Sequence, residues 1–249
     1  MAIADKRRQI GRVTRGGHFD ADPGAGGVLV DDTTELRWIA KGPLPTDVEA
    51  WFTHGGTAGV VEKRCDTYRM DGRSTRGVKL RFRETLELKV LQAVGEHLVL
   101  GAGLAGRLQM WRKWSPAEGV ADIDGEVPWL DVCKIVTKRR FSVDGDEIVP
   151  SALERATTGA GSDVEVAAIT VGDIEAWTFA FAAFGPTASR EHAILTAWQA
   201  LTADGANPQH LAAAFGQSSS YPEWLAPMTT RSENTARGNR DLVGVVKLS

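Results

Sequence analysis

Alternating positive charge makes residues 78–83 the part of this chain best suited to bind an anion. They read Val-Lys-Leu-Arg-Phe-Arg, so in a β-strand Lys79, Arg81 and Arg83 lie on one face and the apolar residues on the other. Like charges side by side repel unless an anion neutralises them, and Arg forks match phosphate oxygens. The pattern is therefore compatible with a site for a small anion such as a phosphorylated molecule. The pattern alone also fits a solvated outer face of a half-buried sheet, which is the commoner fate of alternating charge.

A second alternating run follows at residues 86–90 and indicates a β-hairpin. A three-residue loop at 83–85 keeps the basic face and the apolar face uniform, whereas a two-residue loop would mix them. The register that this loop predicts pairs Phe82 with Leu86, Leu80 with Leu88, Arg81 with Glu87 and Lys79 with Lys89. Lys89 thereby joins the basic face.

The order of short motifs in this region resembles that of a known family. Asp66-x-Tyr68, then Arg81-x-Arg83, then the stretch Leu86-Glu87-Leu88-Lys89 is similar to the Asp-x-Tyr, Arg-x-Arg and Leu-Thr-x-Lys motifs of the CYTH, or triphosphate tunnel, superfamily. The resemblance implies an antiparallel β-barrel whose tunnel grips a polyphosphate with basic side chains and holds a divalent metal with acidic ones. It spans roughly residues 35–225. Glu87 replaces the family's threonine.

The acidic positions of that family are only partly kept. Its first strand carries Glu-x-Glu-x-Lys. Here Glu35 fits, but Arg37 occupies the second acidic place and turns a cation ligand into an anion ligand. Glu165 is retained, whereas the late strand 177–184 has no carboxylate. The resemblance thus implies Glu35, Glu87 and Glu165 as candidate catalytic residues, with Glu35 and Glu165 as ligands of Mg²⁺ or Mn²⁺. Alternatively, all three are salt-bridge partners of the basic residues.

A second basic strand is predicted at residues 132–141. Alternation separates Lys134, Lys138 and Arg140 from Arg139, and the sequence leaves open which set faces inward. The full set of candidate phosphate-binding residues is Arg37, Lys79, Arg81, Arg83, Lys89, Lys138 and Arg140.

One competing motif, Gly101-x-Gly103-x-x-Gly106, matches the dinucleotide-binding fingerprint. It follows a charged hairpin and is not followed by repeated strand–helix units, so a glycine-rich turn into a strand at 107–114 is the preferred interpretation. The five histidines are scattered without metal-ligand spacing. Of the eight tryptophans, only Trp111 and Trp114, which flank Arg112-Lys113, are candidates for a ligand contact.

These patterns predict the α+β class, with a single domain over 33–228 in which about eight antiparallel strands form a barrel with flanking helices. One helix is expected at 46–52, with Thr46 and Glu49 as a capping box, and another at 187–203. A last hairpin is expected around Gly172-Asp173. Residues 1–32 are predicted to be a flexible extension and 229–249 a tail.

Charge and composition limit the partners. The chain has 249 residues, 43% apolar content and a net charge of −3, which argues against bulk nucleic-acid binding. There is no signal peptide or membrane-length apolar run, so we expect a cytoplasmic protein that does not bind membranes. The two cysteines, Cys65 and Cys133, are expected to be buried free thiols.

The expected function is binding of a triphosphate or another phosphorylated small molecule, with weak or absent hydrolysis. Arg37 and the acid-free late strand argue against a two-metal site. The first alternative is a metal-dependent triphosphatase that acts on tripolyphosphate or an organic triphosphate. The second is a non-catalytic protein-interaction scaffold.

Overall fold

A computed structural model describes residues 28–54, 60–82, 84–101, 103–116, 127–148, 159–203 and 210–228. Arg83 lies outside the described residues, as do most of the predicted extension and the tail. The first strand begins at Val28, inside the predicted extension.

Nine strands and four helices make up the described chain. The strands are β1 (Val28–Lys41), β2 (Val60–Arg69), β3 (Arg76–Arg81), β4 (Thr85–Gly101), β5 (Leu104–Pro116), β6 (Trp129–Ser142), β7 (Glu147–Ile148), β8 (Gly161–Val171) and β9 (Ile174–Phe184). The helices are α1 (Thr46–Thr53), α2 (Thr187–Thr202), α3 (His210–Ala214) and α4 (221–228). None of the described helices is long and apolar enough to cross a membrane.

The sheet is antiparallel and closes on itself. Its strand order is β2-β3-β4-β5-β1-β9-β8-β6-β7, and a further pairing between β2 and β6 completes a ring that leaves β7 outside. The β2–β6 pairing runs from Val60 opposite Lys138 to Arg69 opposite Trp129. Closure satisfies the backbone groups that an open sheet would leave at its edges. The α+β class and the antiparallel strands with flanking helices are thus confirmed.

The apolar core lies outside the ring. Along β1, Leu36 and Trp38 are buried on the outer face, whereas Glu35 and Arg37 point the other way, into the ring. The outer face packs against the helices through a cluster that includes Trp38, Phe179, Phe181, Ile194 and Trp198. The ring therefore turns its polar face inward and its apolar face towards α1 and α2.

A second apolar cluster lies where α4 meets the sheet. Tyr68, Met70, Val132 and Leu225 are among its buried members. Ser220 caps α4: its hydroxyl accepts a hydrogen bond from the Glu223 backbone N–H at 3.3 Å, and the Glu223 carboxylate accepts one from the Ser220 N–H at 2.8 Å. This is a capping box. The capping box predicted at Thr46 is wrong, because Pro45 occupies the N-cap of α1 and no side chain caps that helix.

The β3–β4 hairpin has a different register from the predicted one. The structure pairs Leu80 with Leu86 and Lys79 with Glu87, so the loop consists of residues 82–84. Both loops contain three residues, and both keep the same side chains on the same face. The observed register replaces a like-charge Lys–Lys pair with an ion pair, which is favoured across strands. Phe82 begins the loop with a positive φ of 53°.

Other predicted elements are confirmed. The glycine-rich segment turns between β4 and β5, with φ of 118° at Gly101 and 81° at Gly103, values that suit glycine. The last hairpin turns at Gly172-Asp173 between β8 and β9. The helix predicted at 187–203 corresponds to α2.

The prediction of free buried thiols is wrong. Cys65 and Cys133 stand directly opposite each other in the β2–β6 register and form a disulfide. Cys65 is exposed and Cys133 is partly buried. A pairing between strands 68 residues apart in sequence is not visible in the spacing of two cysteines.

Candidate functional site

The ring encloses a cavity of about 560 Å³. One end is covered by the start of α4, where the tilted ring of Tyr221 has its centre 6.0 Å from that of Tyr68. Its charged lining comprises nine cationic side chains, Arg37, Arg64, Lys79, Arg81, Lys89, Lys113, Lys134, Lys138 and Arg140, and six acidic ones, Asp31, Glu35, Glu62, Glu87, Asp163 and Glu165. The cavity wall therefore carries a surplus of positive charge.

Every described candidate for phosphate binding or catalysis lies in this lining, whereas Trp111 and Trp114 are not part of it. The two basic strands bring Lys79, Arg81, Lys138 and Arg140 together although they are far apart in the chain, and β1 and β4 add Arg37 and Lys89. The three candidate glutamates, Glu35, Glu87 and Glu165, face the same space. Arg83 lies outside the described residues. The alternating charges of the described chain thus form an inner face and not a solvated outer one.

The structure also settles the orientation of the second basic strand. Arg140 faces the cavity and donates to Asp163 at 2.6 Å and 3.2 Å. Arg139 points to the outside, where it donates to Glu147 and to the carbonyl of Phe52.

Each candidate glutamate forms an ion pair with a cation of the cavity wall. Lys89 Nζ donates to both oxygens of Glu35, at 2.5 and 2.6 Å. Arg37 Nη1 lies 2.6 Å from Glu165 Oε1, and Lys79 Nζ lies 2.9 Å from Glu87 Oε2. The alternative interpretation of these three acids, as salt-bridge partners of the basic residues, therefore agrees with the structure.

These pairs shift the pKa values of the acids in one direction. Burial raises the pKa of Glu165, but the charge and hydrogen bond of Arg37 together with the charges of Lys138 and Arg64 outweigh it, and the pKa lies well below the ordinary value. Burial likewise opposes ionisation of Glu35, and Lys89 with Arg37 lowers its pKa below 4.5. Both carboxylates are therefore ionised at neutral pH.

Asp66 contacts three of the cations, although it was not among the candidate site residues predicted from the sequence. It is fully buried, and its Oδ2 lies 3.2 Å from Lys79 Nζ, 3.3 Å from Arg64 Nε and 3.5 Å from Lys134 Nζ. Its Oδ1 is buried without a hydrogen bond to any described residue. The alternation of Arg64, Asp66 and Tyr68 along β2 was the signal that could have placed all three on the inner face.

Lys134 is the most deeply buried cation of the wall. Its Nζ lies 3.7 Å from the centre of the Tyr221 ring and 2.9 Å from the Tyr68 hydroxyl. Burial lowers its pKa well below the ordinary value, and the positive charge of Lys79 lowers it further. Aromatic faces and Asp66 partly offset the cost of burying this amine.

Lys138 differs from its neighbours, because its ammonium group makes neither a hydrogen bond nor an ion pair within 4 Å to any described residue, although its charge helps to lower the pKa of Glu165. It lies on the inner face of β6, opposite Glu165 on β8 and Val60 on β2. An unpaired ammonium group in a cationic wall is the group most available to an incoming anion.

The carboxylates of the cavity are not arranged as ligands of the divalent metal that the family resemblance implies. Among the described residues, no group of three or more His, Cys, Asp or Glu side chains is arranged to hold a metal ion. Glu35 and Glu165 each contact a cationic side chain, which a metal would have to displace. In this arrangement the carboxylates do not fit a metal site.

Comparisons with protein-family models, with curated proteins and with solved structures each found no match for this chain.

Proposed function

We propose that the ring binds a phosphorylated small molecule, such as a triphosphate, in its central cavity. The observation that carries this proposal is the cationic wall: nine Lys and Arg side chains on the inner face, against six acids. A site of about 560 Å³ has the size of a small-molecule pocket. Phosphate oxygens are the ligands that converging Lys and Arg side chains suit best.

The sequence resemblance supports the same proposal. In the triphosphate tunnel superfamily, basic side chains grip a polyphosphate inside a β-barrel, and the residues that carry the resemblance here, from Asp66 to Lys89, supply Lys79, Arg81 and Lys89 to the cavity. We propose that the ring is a divergent barrel of this type. The ion pairs of the free protein then open as phosphate oxygens replace the carboxylates.

Hydrolysis is expected to be weak or absent. Phosphoryl transfer depends on placement and on neutralising charge, which a metal ion usually supplies. Glu35, Glu87 and Glu165 are engaged by Lys89, Lys79 and Arg37. A metal-dependent phosphohydrolase remains the second candidate, because these three carboxylates do face the cavity.

Calorimetric titration with tripolyphosphate, combined with a phosphate-release assay on the same samples, tests the proposal. We expect saturable heat with one ligand per chain, present without added metal, and little phosphate release with or without Mg²⁺ or Mn²⁺. Absence of heat would refute anion binding. Metal-dependent release that is lost in Glu35→Gln would favour the phosphohydrolase.

A further inference from the structure

Exposed apolar side chains surround the open end of the cavity. Val60 and Val61 belong to the cavity lining, yet they are 44% and 63% exposed. Leu29, 55% exposed, continues the inner-face row of β1 beyond Asp31. Phe82, 50% exposed, follows Arg81 at the end of β3. We call Leu29, Val60, Val61 and Phe82 the apolar rim.

Strand register places the apolar rim at one end of the ring. Strand β2 starts there at Val60, and Val60 stands opposite the unpaired Lys138. Strand β3 ends there, since Arg81 donates to Glu62 on β2 at 2.8 Å. Strand β1 enters there, since Asp31 pairs with Lys113 on β5, and Lys113 pairs with Lys89 in the part of β4 that directly follows the end of β3. Apolar side chains therefore lie beside the outermost charged groups of the wall.

Such an arrangement suits a ligand that is phosphorylated at one end and apolar at the other. Clustered exposed apolar side chains mark binding surfaces more often than scattered ones do, and typical ligand sites combine apolar walls with a few polar groups. A bare polyphosphate would leave the apolar rim in water. An ester would place its phosphates among the cations and its organic group against the rim.

We propose that the ligand is an organic phosphate ester with an apolar group, and that the apolar rim binds that group. This inference rests on the proposed function, because the phosphate end must occupy the cationic cavity. The apolar rim then selects among phosphorylated molecules by their organic group, while Lys138 and its neighbours bind the phosphate groups that those molecules share.

The test compares geranyl diphosphate, a ten-carbon alkenyl ester, with inorganic diphosphate by calorimetric titration of the full chain, below the concentration at which the ester forms micelles. We expect the ester to bind about tenfold more tightly or better, because burial of the hydrocarbon group adds to the shared phosphate contacts. Leu29 and Phe82 belong to the apolar rim but not to the cavity lining, so in Leu29→Ser/Phe82→Ser this gain should fall to less than about threefold, with the affinity for diphosphate unchanged.

Val99→Ser is the matched control. Val99 is 66% exposed on β4 and pairs with Ala105, away from the cavity lining, so its replacement should leave the gain intact. Equal affinity for the two ligands, or a gain that survives the rim substitutions, overturns the inference while leaving phosphate binding in place. Absence of heat with diphosphate, tripolyphosphate and the ester alike overturns the proposed function and this inference together.

Discussion

Arg37→Leu is expected to destabilise the protein by about 3–5 kcal/mol, as breaking one side of a buried ion pair does. Arg37 Nη1 lies 2.6 Å from Glu165 Oε1 in the cavity wall, and the two side chains are only 10% and 17% exposed. The substitution leaves the Glu165 carboxylate buried without its main partner. Urea unfolding measured at pH 7 gives the loss.

The control for Arg37→Leu is the double variant Arg37→Leu/Glu165→Leu. Removing both charges also removes the unpaired carboxylate, and apolar replacements of buried pairs are often neutral, so the double variant should recover most of the lost stability. An Arg37→Leu variant within about 1 kcal/mol of the wild type would show that the pair does not hold the wall together.

The sign of the pH dependence follows from the lowered pKa of Glu165. In the wild type, the stability from this group is fully present above the unfolded value of 4.5 and is lost as the pH falls below it. Without the charge and the hydrogen bond of Arg37, less opposes the effect of burial, and the pKa of Glu165 is expected to rise. The difference in stability between Arg37→Leu and the wild type should therefore shrink as the pH is lowered from 7 towards 4.

Removing the disulfide in Cys65→Ser/Cys133→Ser should cost about 4 kcal/mol, given the sequence separation of 68 between the cysteines. The bond joins β2 and β6, the pairing that closes the ring. Among the described strands, the other neighbour of β2 is β3, over the short register from Asp66 to Tyr68. Loss of the cross-link therefore affects the strand that carries Arg64 and Asp66.

Urea unfolding of oxidised and dithiothreitol-treated protein measures this effect. Because Cys65 is exposed, the reductant should lower the wild type to the stability of the double variant and leave the double variant unchanged. A double variant as stable as the oxidised wild type would contradict the role of the bond. Two free thiols per chain in unreduced protein would show that it does not form.

The sequence could predict the elements whose signal is local. Alternation identified the basic face at Lys79 and Arg81, and the Gly172-Asp173 turn identified the last hairpin. The capping box at Ser220 and Glu223 was equally readable, since these residues have the required spacing, although the prediction placed the box at Thr46. In that earlier helix, Pro45 takes the N-cap position and offers no side-chain oxygen.

Contacts between distant segments could not be predicted from the sequence. The disulfide and the threefold contacts of Asp66 depend on the pairing of β2 with β6 and β3, which no local pattern shows. The predicted hairpin register is wrong because Phe82 adopts a positive φ of 53°, a conformation that is more common for Gly or Asn. Pairing of Lys79 with Glu87 outweighs that local cost.

Titration of lysine variants with tripolyphosphate tests the central claim most directly. Lys138→Ala removes a cation of the wall that has no ion-pair partner within 4 Å among the described residues, whereas Lys63→Ala removes an exposed lysine on β2 that is not in the cavity lining. Both changes subtract one positive charge without breaking an ion pair between described residues. The account predicts that Lys138→Ala weakens binding about tenfold or more, as loss of a charge-assisted contact does, and that Lys63→Ala changes it less than about twofold. Equal affinities for the wild type and Lys138→Ala, or equal losses in both variants, would contradict binding inside the ring.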